Sequence, residues 1–383
     1  MNSRKVLADM AEAFCTTTPH RSLPYSKRNW GGKIHSLCSY QGKLKPSIAH
    51  FLVDWFTEPG QYVLDPMSGV GTIPLEARRL GRIGLANDLS PLAYSVSSAK
   101  LELIDVSGVH QHLDRLSECV ASASSLSDND ICDEVDWGLN KNIRDYFHPL
   151  TLREIVLARN YFIELEKVKD PSLNLVLTGL LHILHGNRPY ALSRNSHPIT
   201  PFAPTGEFEY RSLMNHLRKR VDTAIKVVTE LGISSSPGCA TLGDFRNMNF
   251  TNVDAIITSP PFTNSLKFWS SNWMRLWFTG WSPNDFKSKP LKFLETEQQN
   301  SYSPYQDFAE SCSKSLKPGG LLILHLGENS KGNMADQISP LLSPYFDVIY
   351  TGKEGVVDTE SHGLTDKGAT SAHNYLFATK RGT

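Results

Sequence analysis

Tyr62-Val63-Leu64-Asp65-Pro66-Met67-Ser68-Gly69-Val70-Gly71-Thr72 is the stretch whose reading decides the fold. A short apolar run ends in a carboxylate, and a glycine-rich turn follows it. From Thr72 to Leu80 the pattern is helical, and Gly81 closes it. A second apolar run, Ile83 to Ala86, ends at Asn87-Asp88. Strand, glycine turn, helix, strand, acid is the opening of a doubly wound nucleotide-binding sheet. Gly69 and Gly71 allow backbone to approach a ligand closely. A plain tight turn and a dinucleotide site are the competing readings. The dinucleotide fingerprint requires G-x-G-x-x-G, and Gly69-Val70-Gly71-Thr72-Ile73-Pro74 lacks the third glycine. Asp65-Pro66, directly before the turn, suits a cofactor with a cationic amino acid end. Asp88 can accept two hydrogen bonds from a ribose diol; the alternative is an acid at a helix N-terminus.

Working outward, residues 1–35 read as polar and irregular, with Lys27-Arg28 beside Trp30. Lys45-Pro46-Ser47 opens a helix on which Ile48, Phe51, Leu52 and Trp55 recur at helical spacing, and Pro59-Gly60 stops it. Residues 105–235 break the alternation. They are mostly helical in pattern, with a Ser/Asp-rich loop at Ser122 to Asp130 and an irregular stretch at Gly186 to Gly206. Alternation resumes at Cys239, through Gly243-Asp244-Phe245 and the strand Val253 to Thr258. Two aromatic-rich helical stretches follow 262. A turn at Leu316 to Gly320 leads into the strand Leu321 to Leu326, and Phe346–Tyr350 with Tyr375–Ala378 form a closing antiparallel pair. The expected fold is α/β, a doubly wound, mostly parallel, seven-stranded Rossmann-like sheet with a helical insertion. Residues 1–104 hold the N-terminal segment and the cofactor-binding half, 105–235 the insertion, and 236–383 the catalytic half.

The 383 residues suffice to bury a substantial core, and 40% hydrophobic with 20% charged is ordinary for a globular protein. Lysines plus arginines equal aspartates plus glutamates at 39 each, so only a local basic face would point to nucleic acid. The six cysteines form no C-x-x-C pair and no zinc spacing, which reads as reduced thiols and no metal. Met1 to Phe14 lacks the apolar run of a signal peptide. The longest apolar stretch, Leu173–Leu184, is too short to span a bilayer and reads as a buried helix. The expectation is an intracellular protein with no membrane partner.

The catalytic candidate is Thr258-Ser259-Pro260-Pro261-Phe262, after the apolar run Ala255-Ile256-Ile257. A diproline at a strand's C-terminal end stiffens the backbone and removes two N–H donors. Carbonyl and hydroxyl acceptors then face the crevice in which α/β sheets bind ligands. An exocyclic base amine is a poor nucleophile, because its lone pair is delocalised into the ring. Two acceptors on its N–H groups favour a pyramidal nitrogen and stabilise charge as a methyl arrives. Ser259 Oγ and the Pro260 carbonyl suit that task, and Phe262 offers a face for stacking an extruded base. The alternative is a rigid turn that caps a strand.

In this motif order the chain resembles the S-adenosylmethionine-dependent amino-methyltransferases of DNA. The similarity runs through Ser39 to Leu52, including Lys45, and then Asp65, Pro66, Met67, Ser68, Gly69, Gly71 and Thr72, which match the family's D-P-x-x-G-x-G-T. Asp88 with Ser90-Pro91 stands at the ribose acid, and Asp244-Phe245 at the residues that contact the adenine ring. Thr258 to Phe262 is the catalytic motif. Leu316 to Leu326 and Gly363 to Gly368 are similar to later elements near the base pocket. Ser-Pro-Pro-Phe is typical of enzymes acting on N4 of cytosine, whereas adenine-N6 enzymes more often have Asp or Asn before the diproline. The resemblance implies S-adenosyl-L-methionine as cofactor, double-stranded DNA as partner, flipping of the target base, and direct transfer without metal. It further implies a cytoplasmic, nucleoid-associated role in restriction–modification, beside a cognate endonuclease that acts separately. The alternatives are an adenine-N6 enzyme, an enzyme for a base amine in RNA, and a cofactor-binding subunit without chemistry. No RNA-binding module is recognisable, and Ser259 and Asp88 are both present, against the last two.

Target recognition is assigned to the insertion. The stretch Asn187 to Pro198, with Arg188, Arg194 and Asn195, is rich in side chains that bond phosphates and base edges. Bracing of the insertion against the sheet is the competing role for Arg188 and Arg194. Arg218-Lys219-Arg220 reads as a solvated helix face, with phosphate contact as the alternative. Asn264 to Trp281 is dense in aromatics, Phe268 and Trp269 among them; Trp273, Trp277 and Trp281 form a helical stripe that reads as core, with one ring of the stretch lining the base pocket as the alternative. Lys267 and Arg275 face the substrate in this reading. His197, His325, His362 and His373 read as structural.

Overall fold

The computed structural model describes residues 3–27, 29–40, 42–186, 188–195, 203–231, 237–263, 267–330, 332–356 and 370–382. Arg28, Asn187, Ser196, His197, Pro198, Asn264 and the stretch from Gly363 to Gly368 lie outside these residues, as does His362. The first half runs α1 (Ser3–Thr17), α2 (Pro46–Phe56), β1 (Tyr62–Asp65), α3 (Thr72–Arg79), β2 (Ile83–Asp88) and α4 (Pro91–Leu101). Pro46 and Pro91 each occupy the first helical turn, where a missing N–H leaves no bond unmade. The insertion supplies α5 (Val106–Val120), α6 (Cys132–Val135), α7 (Pro149–Glu164), α8 (Pro171–Leu184) and α9 (Leu213–Thr229). Asp105, Asp170 and Ser212 cap α5, α8 and α9 by accepting backbone N–H bonds.

The remainder comprises β3 (Cys239–Leu242), β4 (Val253–Thr258), α10 (Phe268–Ser271), α11 (Trp273–Phe278), α12 (Asp285–Ser288), α13 (Leu294–Glu297) and α14 (Pro304–Ser315). It ends with β5 (Leu316–Asn329), the two-residue β6 (Gly332–Asn333), α15 (Met334–Leu342), β7 (Phe346–Gly355) and β8 (Thr370–Lys380). The strand order is β3-β2-β1-β4-β5-β8-β7, with β6 paired to β5. β1 to β5 are mutually parallel along this path, and β8 runs antiparallel to both of its neighbours. This is the mostly parallel, Rossmann-like α/β sheet expected from the motif order, with seven strands on the path. The order reverses between β1 and β4, so their C-terminal ends open the crevice that such sheets use for ligands.

Period-two alternation divides the strands between two cores. Val63, Ala255, Ile257 and Ile323 face α1, α2 and α3. Leu64, Ile256, Leu322 and Leu324 face α14 and α15. A third core joins α4 to the insertion: Leu92 and Val96 pack with Leu113, Ile155, Leu180 and Val221. Trp273 and Trp277 of α11 are fully buried in it, and Trp281 nearly so, as the four-residue stripe predicts. The insertion therefore shares one continuous core with α4 and α11.

One sequence expectation fails at the N-terminus. Residues 3–17 form a helix where an irregular segment was expected. Leu7, Ala11, Phe14 and Cys15 recur at helical spacing and pack on the sheet. Phe14 is fully buried, with edge contacts to Trp55, Phe56, Tyr375 and Phe377. The interleaved Arg4, Lys5, Asp9 and Glu12 hide this stripe in composition. Among the described residues no helix is long and apolar enough to cross a membrane, and all six cysteines are free.

Removing the Phe14 ring leaves a cavity under α1. Phe14→Ala is expected to lower unfolding free energy by about 3–5 kcal/mol, measured by urea denaturation; a loss below about 1 kcal/mol would mean that α1 is not part of the core.

Candidate active site

The glycine turn folds as it does because Gly69 and Gly71 have φ of 51° and 70°, left-handed values that other residues rarely adopt. Three side chains hold the turn from outside. Ser97 Oγ donates to the Gly69 carbonyl at 3.1 Å, Lys100 Nζ to the Val70 carbonyl at 2.5 Å, and Asn87 Nδ2 to the Pro66 carbonyl at 3.1 Å. Lys100 is fully buried, and burial pulls its ammonium down to about 7. Asp88, at the end of β2, accepts from the Gly69 N–H at 2.8 Å and the Ser90 N–H at 2.9 Å. Each of its oxygens keeps acceptor capacity towards the cleft. Burial outweighs these bonds and pushes the carboxyl up to about 6.

Asp65 lies deeper. Its Oδ1 accepts from Thr258 Oγ1 at 2.6 Å and from the Met67 N–H at 3.2 Å, yet burial pushes the carboxyl up to about 7. Ser68 Oγ is buried with no hydrogen-bond partner among the described residues. Asp244 caps a short turn by accepting from the Arg246 N–H at 2.9 Å, and its carboxylate is gripped by the Arg246 guanidinium at 3.1 Å. Arg246 also bonds Glu297 and Asp307 and lies over the Phe245 ring. Asn87 Nδ2 reaches the Gly243 carbonyl at 3.0 Å and so ties the turn before Asp244 to the glycine turn.

Ser259 emerges from the end of β4 beside these groups. One cleft is lined by Asp65, Pro66, Met67, Ser68, Gly69, Thr72, Asp88, Asp244, Phe245, Ser259 and Pro261. Aromatic rings join the lining: Tyr40 stacks on Phe268 at 5.8 Å and 10°, and Trp269 and Phe293 also line the cleft. Glu295 accepts from the Phe268 and Trp269 N–H groups, and burial pushes its carboxyl up to about 7. The Pro261 carbonyl accepts from Gln298 Nε2 at 2.7 Å, which fixes the diproline edge. Gly71 and Pro260 stand behind the lining, and Pro260 is buried. Phe262 is half-buried outside the lining; its ring lies against Gly327, 5.3 Å from His325 and 5.9 Å from His373.

Several sequence candidates stand elsewhere. Ser39 is bound by Arg275 through its hydroxyl at 2.7 Å and its carbonyl at 3.0 Å, away from the cleft lining. Lys45 is the residue before α2, and Lys43 lines the cleft instead. Arg275, expected to face the substrate, is absent from the cleft lining. It is buried and also bonds the Leu181 carbonyl and Asn272, so it staples the N-terminal segment, α8 and α11 together. Arg194 is a brace rather than a free cation: it bonds the Gly206 and Asp145 carbonyls and lies over the Phe208 ring at 4.0 Å. Arg220 bonds the Ser36 and Leu37 carbonyls. Arg188, Asn195 and Lys267 are exposed, and Lys267 directly precedes the Phe268 and Trp269 that line the cleft.

Asn87 and Glu295 were not legible as site residues, since each acts through partners distant in sequence. His325, read as structural for want of a sequence partner, lies with Nδ1 2.9 Å from Ser259 Oγ. The β4–β5 ladder sets this contact by pairing Thr258 with Leu324, which puts the next residue of each strand side by side. Among the described residues no group of three or more His, Cys, Asp or Glu side chains could hold a metal ion.

Sheet order and cleft together define a Rossmann-like α/β protein with a nucleotide-type site at the strand-order reversal. No family model matches the chain. A stretch of 150 residues is 23% identical to the type II methyltransferase M.MjaII of Methanocaldococcus jannaschii, over 36% of this chain and 28% of that protein. Among solved structures, the rRNA methyltransferase aviRa of Streptomyces viridochromogenes is 10% identical with a TM-score of 0.37, covering 94% of both chains. TrmN of Thermus thermophilus is 14% identical with a TM-score of 0.32, over 89% of this chain and 50% of its own. Both TM-scores lie below one half, and neither likeness bears on substrate.

The Asp65 carboxyl is raised by burial from 3.8 to about 7, so the folded chain holds its proton more tightly than the unfolded chain. Stability is therefore lost as pH rises between those values. Asp65→Asn keeps an acceptor for Thr258 and removes the charge. The melting temperature of the variant relative to wild type is expected to climb across that window in ligand-free protein; a constant difference would contradict a buried charge.

Proposed function

We propose that this chain transfers a methyl group from S-adenosylmethionine to the exocyclic amine of a base in double-stranded DNA, namely N4 of cytosine. The observation that carries this reading is that the glycine turn, Asp88 and Asp244 line the same cleft as Ser259 and Pro261. A cofactor side and an amine-accepting side thus share one space. The matched stretch of M.MjaII, itself described as a type II methyltransferase, supports the reading.

The residues fit the cofactor. Asp88 has lone pairs for a ribose diol, and Asp244 beside the Phe245 ring suits a purine amine. Gly69 leaves backbone in the lining open to close approach. The buried Ser68 Oγ lacks a partner in the ligand-free cleft, and such a group is normally satisfied. Asp65, held near neutrality by burial, regains its charge beside a cationic amino acid end. S-adenosylmethionine supplies an activated methyl on a sulfonium, so the protein's contribution is positioning and electrostatics.

Ser259 accepts one N–H of the flipped base and the Pro260 carbonyl the other, which aims the amine lone pair into the cleft. Gln298 keeps the diproline edge from yielding as charge builds. Phe262 offers its ring for stacking, and its partial exposure leaves surface for a base. Serine before the diproline supports cytosine over adenine. Exposed Arg188, Asn195 and Lys267 are the candidates for DNA contact. Methylation of a specific site would protect it from a separately acting endonuclease.

Incubation with unmethylated DNA and labelled cofactor, digestion to nucleosides and mass spectrometry should yield N4-methylcytosine. N6-methyladenine, or label only in RNA, would overturn the substrate assignment. Ser259→Ala is expected to keep cofactor affinity and lose transfer by about 100-fold or more. Asp88→Ala should weaken cofactor binding by about tenfold or more; an unchanged dissociation constant in calorimetry would remove it from the ribose site.

A further inference from the structure

Ser259 is one half of a pair. Its Oγ lies 2.9 Å from His325 Nδ1, the only hydrogen-bond partner of that hydroxyl among the described residues. His325 is 3% exposed and walled by the His373 ring at 4.9 Å, the Tyr375 ring at 5.1 Å and the Phe262 ring at 5.3 Å. A neutral imidazole carries one N–H and one bare nitrogen. In one tautomer the ring donates to Ser259, which uses one lone pair and leaves the serine's hydrogen and its second lone pair to share the cleft side. In the other the serine's hydrogen points to Nδ1, and both lone pairs of Ser259 are left for the amine. The second arrangement turns lone pairs alone to the amine and lets the ring nitrogen take a proton.

We infer that His325 is a positioning residue that holds the Ser259 hydroxyl by its hydrogen and takes that hydrogen over when the target amine is methylated. The inference rests on the amine-methylation reading above. As the amine lone pair forms the N–C bond, the C–S bond breaks with its electrons left on sulfur. The nitrogen becomes positively charged. One of its protons passes to Ser259 Oγ, and the serine's original proton passes to His325 Nδ1. The products are a neutral methylamino base and an imidazolium, which returns its proton to solvent after release.

The acid strengths allow the step. Burial, with His373 nearby, lowers His325 well below the ordinary imidazole range. The methylated amine, its lone pair no longer shared with the ring, is a far stronger acid still. A negative charge stands behind the pair as well. Glu354 is buried, but bonds from His20 and Tyr375, with Arg21 adjacent, pull its carboxyl down to about 2. Tyr375 Oη donates to it at 2.8 Å, and its charge favours the imidazolium, against His373 and His20. The β4–β5 ladder fixes the spacing of the pair in the backbone.

The test compares wild type with His325→Asn, His325→Ala, Ser259→Ala and Ser259→Ala/His325→Ala in the full chain. Cofactor affinity is read by calorimetry, and single-turnover transfer to unmethylated genomic DNA is read with tritiated S-adenosylmethionine. Asparagine can still hold the serine hydroxyl but is not basic. Cofactor affinity should stay within about threefold of wild type in all variants. The transfer rate should fall about 100-fold in His325→Ala and at least about tenfold in His325→Asn. The double variant should be no more than about threefold slower than Ser259→Ala, as for residues that act as one unit. Wild-type rate in His325→Asn, losses that multiply in the double variant, or failure of both His325 variants to bind cofactor would overturn the relay while leaving the amine-methylation reading standing. A wild-type chain that labels no base amine would overturn both.

Discussion

At the centre of the sheet, where β1 and β4 lie side by side, Thr258 donates its hydroxyl to the buried Asp65 carboxylate at 2.6 Å. Thr258 directly precedes Ser259, and Asp65 directly precedes the glycine turn, so this bond couples the two halves of the cleft. The parallel pairs Val63–Ala255 and Leu64–Ile256 set its register. Because the strand order reverses here, no crossover helix covers the strand ends, and the turns after β1, β2 and β4 converge on one space.

Around that centre, buried polar side chains hold irregular backbone in place. Asn87 bridges the turns after β1 and β3, Lys100 and Ser97 support the glycine turn, and Gln298 locks the diproline edge. Each bond satisfies a carbonyl that neither helix nor ladder can serve. The carboxyls of Asp65, Asp88 and Glu295 all rise above their ordinary range because burial disfavours their charged forms in the ligand-free cleft. A positive charge placed beside them would restore their ionisation.

The insertion uses its arginines mainly as internal fasteners. Arg220, Arg194 and Arg211 bond backbone carbonyls, Arg159 does the same at Trp277, and Arg275 of α11 reaches back to the Leu181 carbonyl. In sequence such residues are indistinguishable from cations that would meet phosphate. Only their packing reveals that the guanidinium is already in use. The N-terminal helix was hidden for a related reason: Leu7, Ala11, Phe14 and Cys15 form a narrow stripe among charged neighbours, and the stripe has meaning only against β7 and β8.

The alternating α/β order, the glycine turn with its flanking acids and the diproline motif were all legible in the chain, because each rests on residues close in sequence. Local chemistry sets them: left-handed turns need glycine, apolar runs with period two become strands, and proline fixes φ. The remaining features joined residues far apart along the chain. His325 beside Ser259, Asn87 under two turns, Arg246 joining Glu297 and Asp307, and the Tyr40–Phe268 pair in the cleft lining all came from the tertiary structure. Strand order and register bring such partners together, and no spacing along one segment encodes which strand becomes its neighbour.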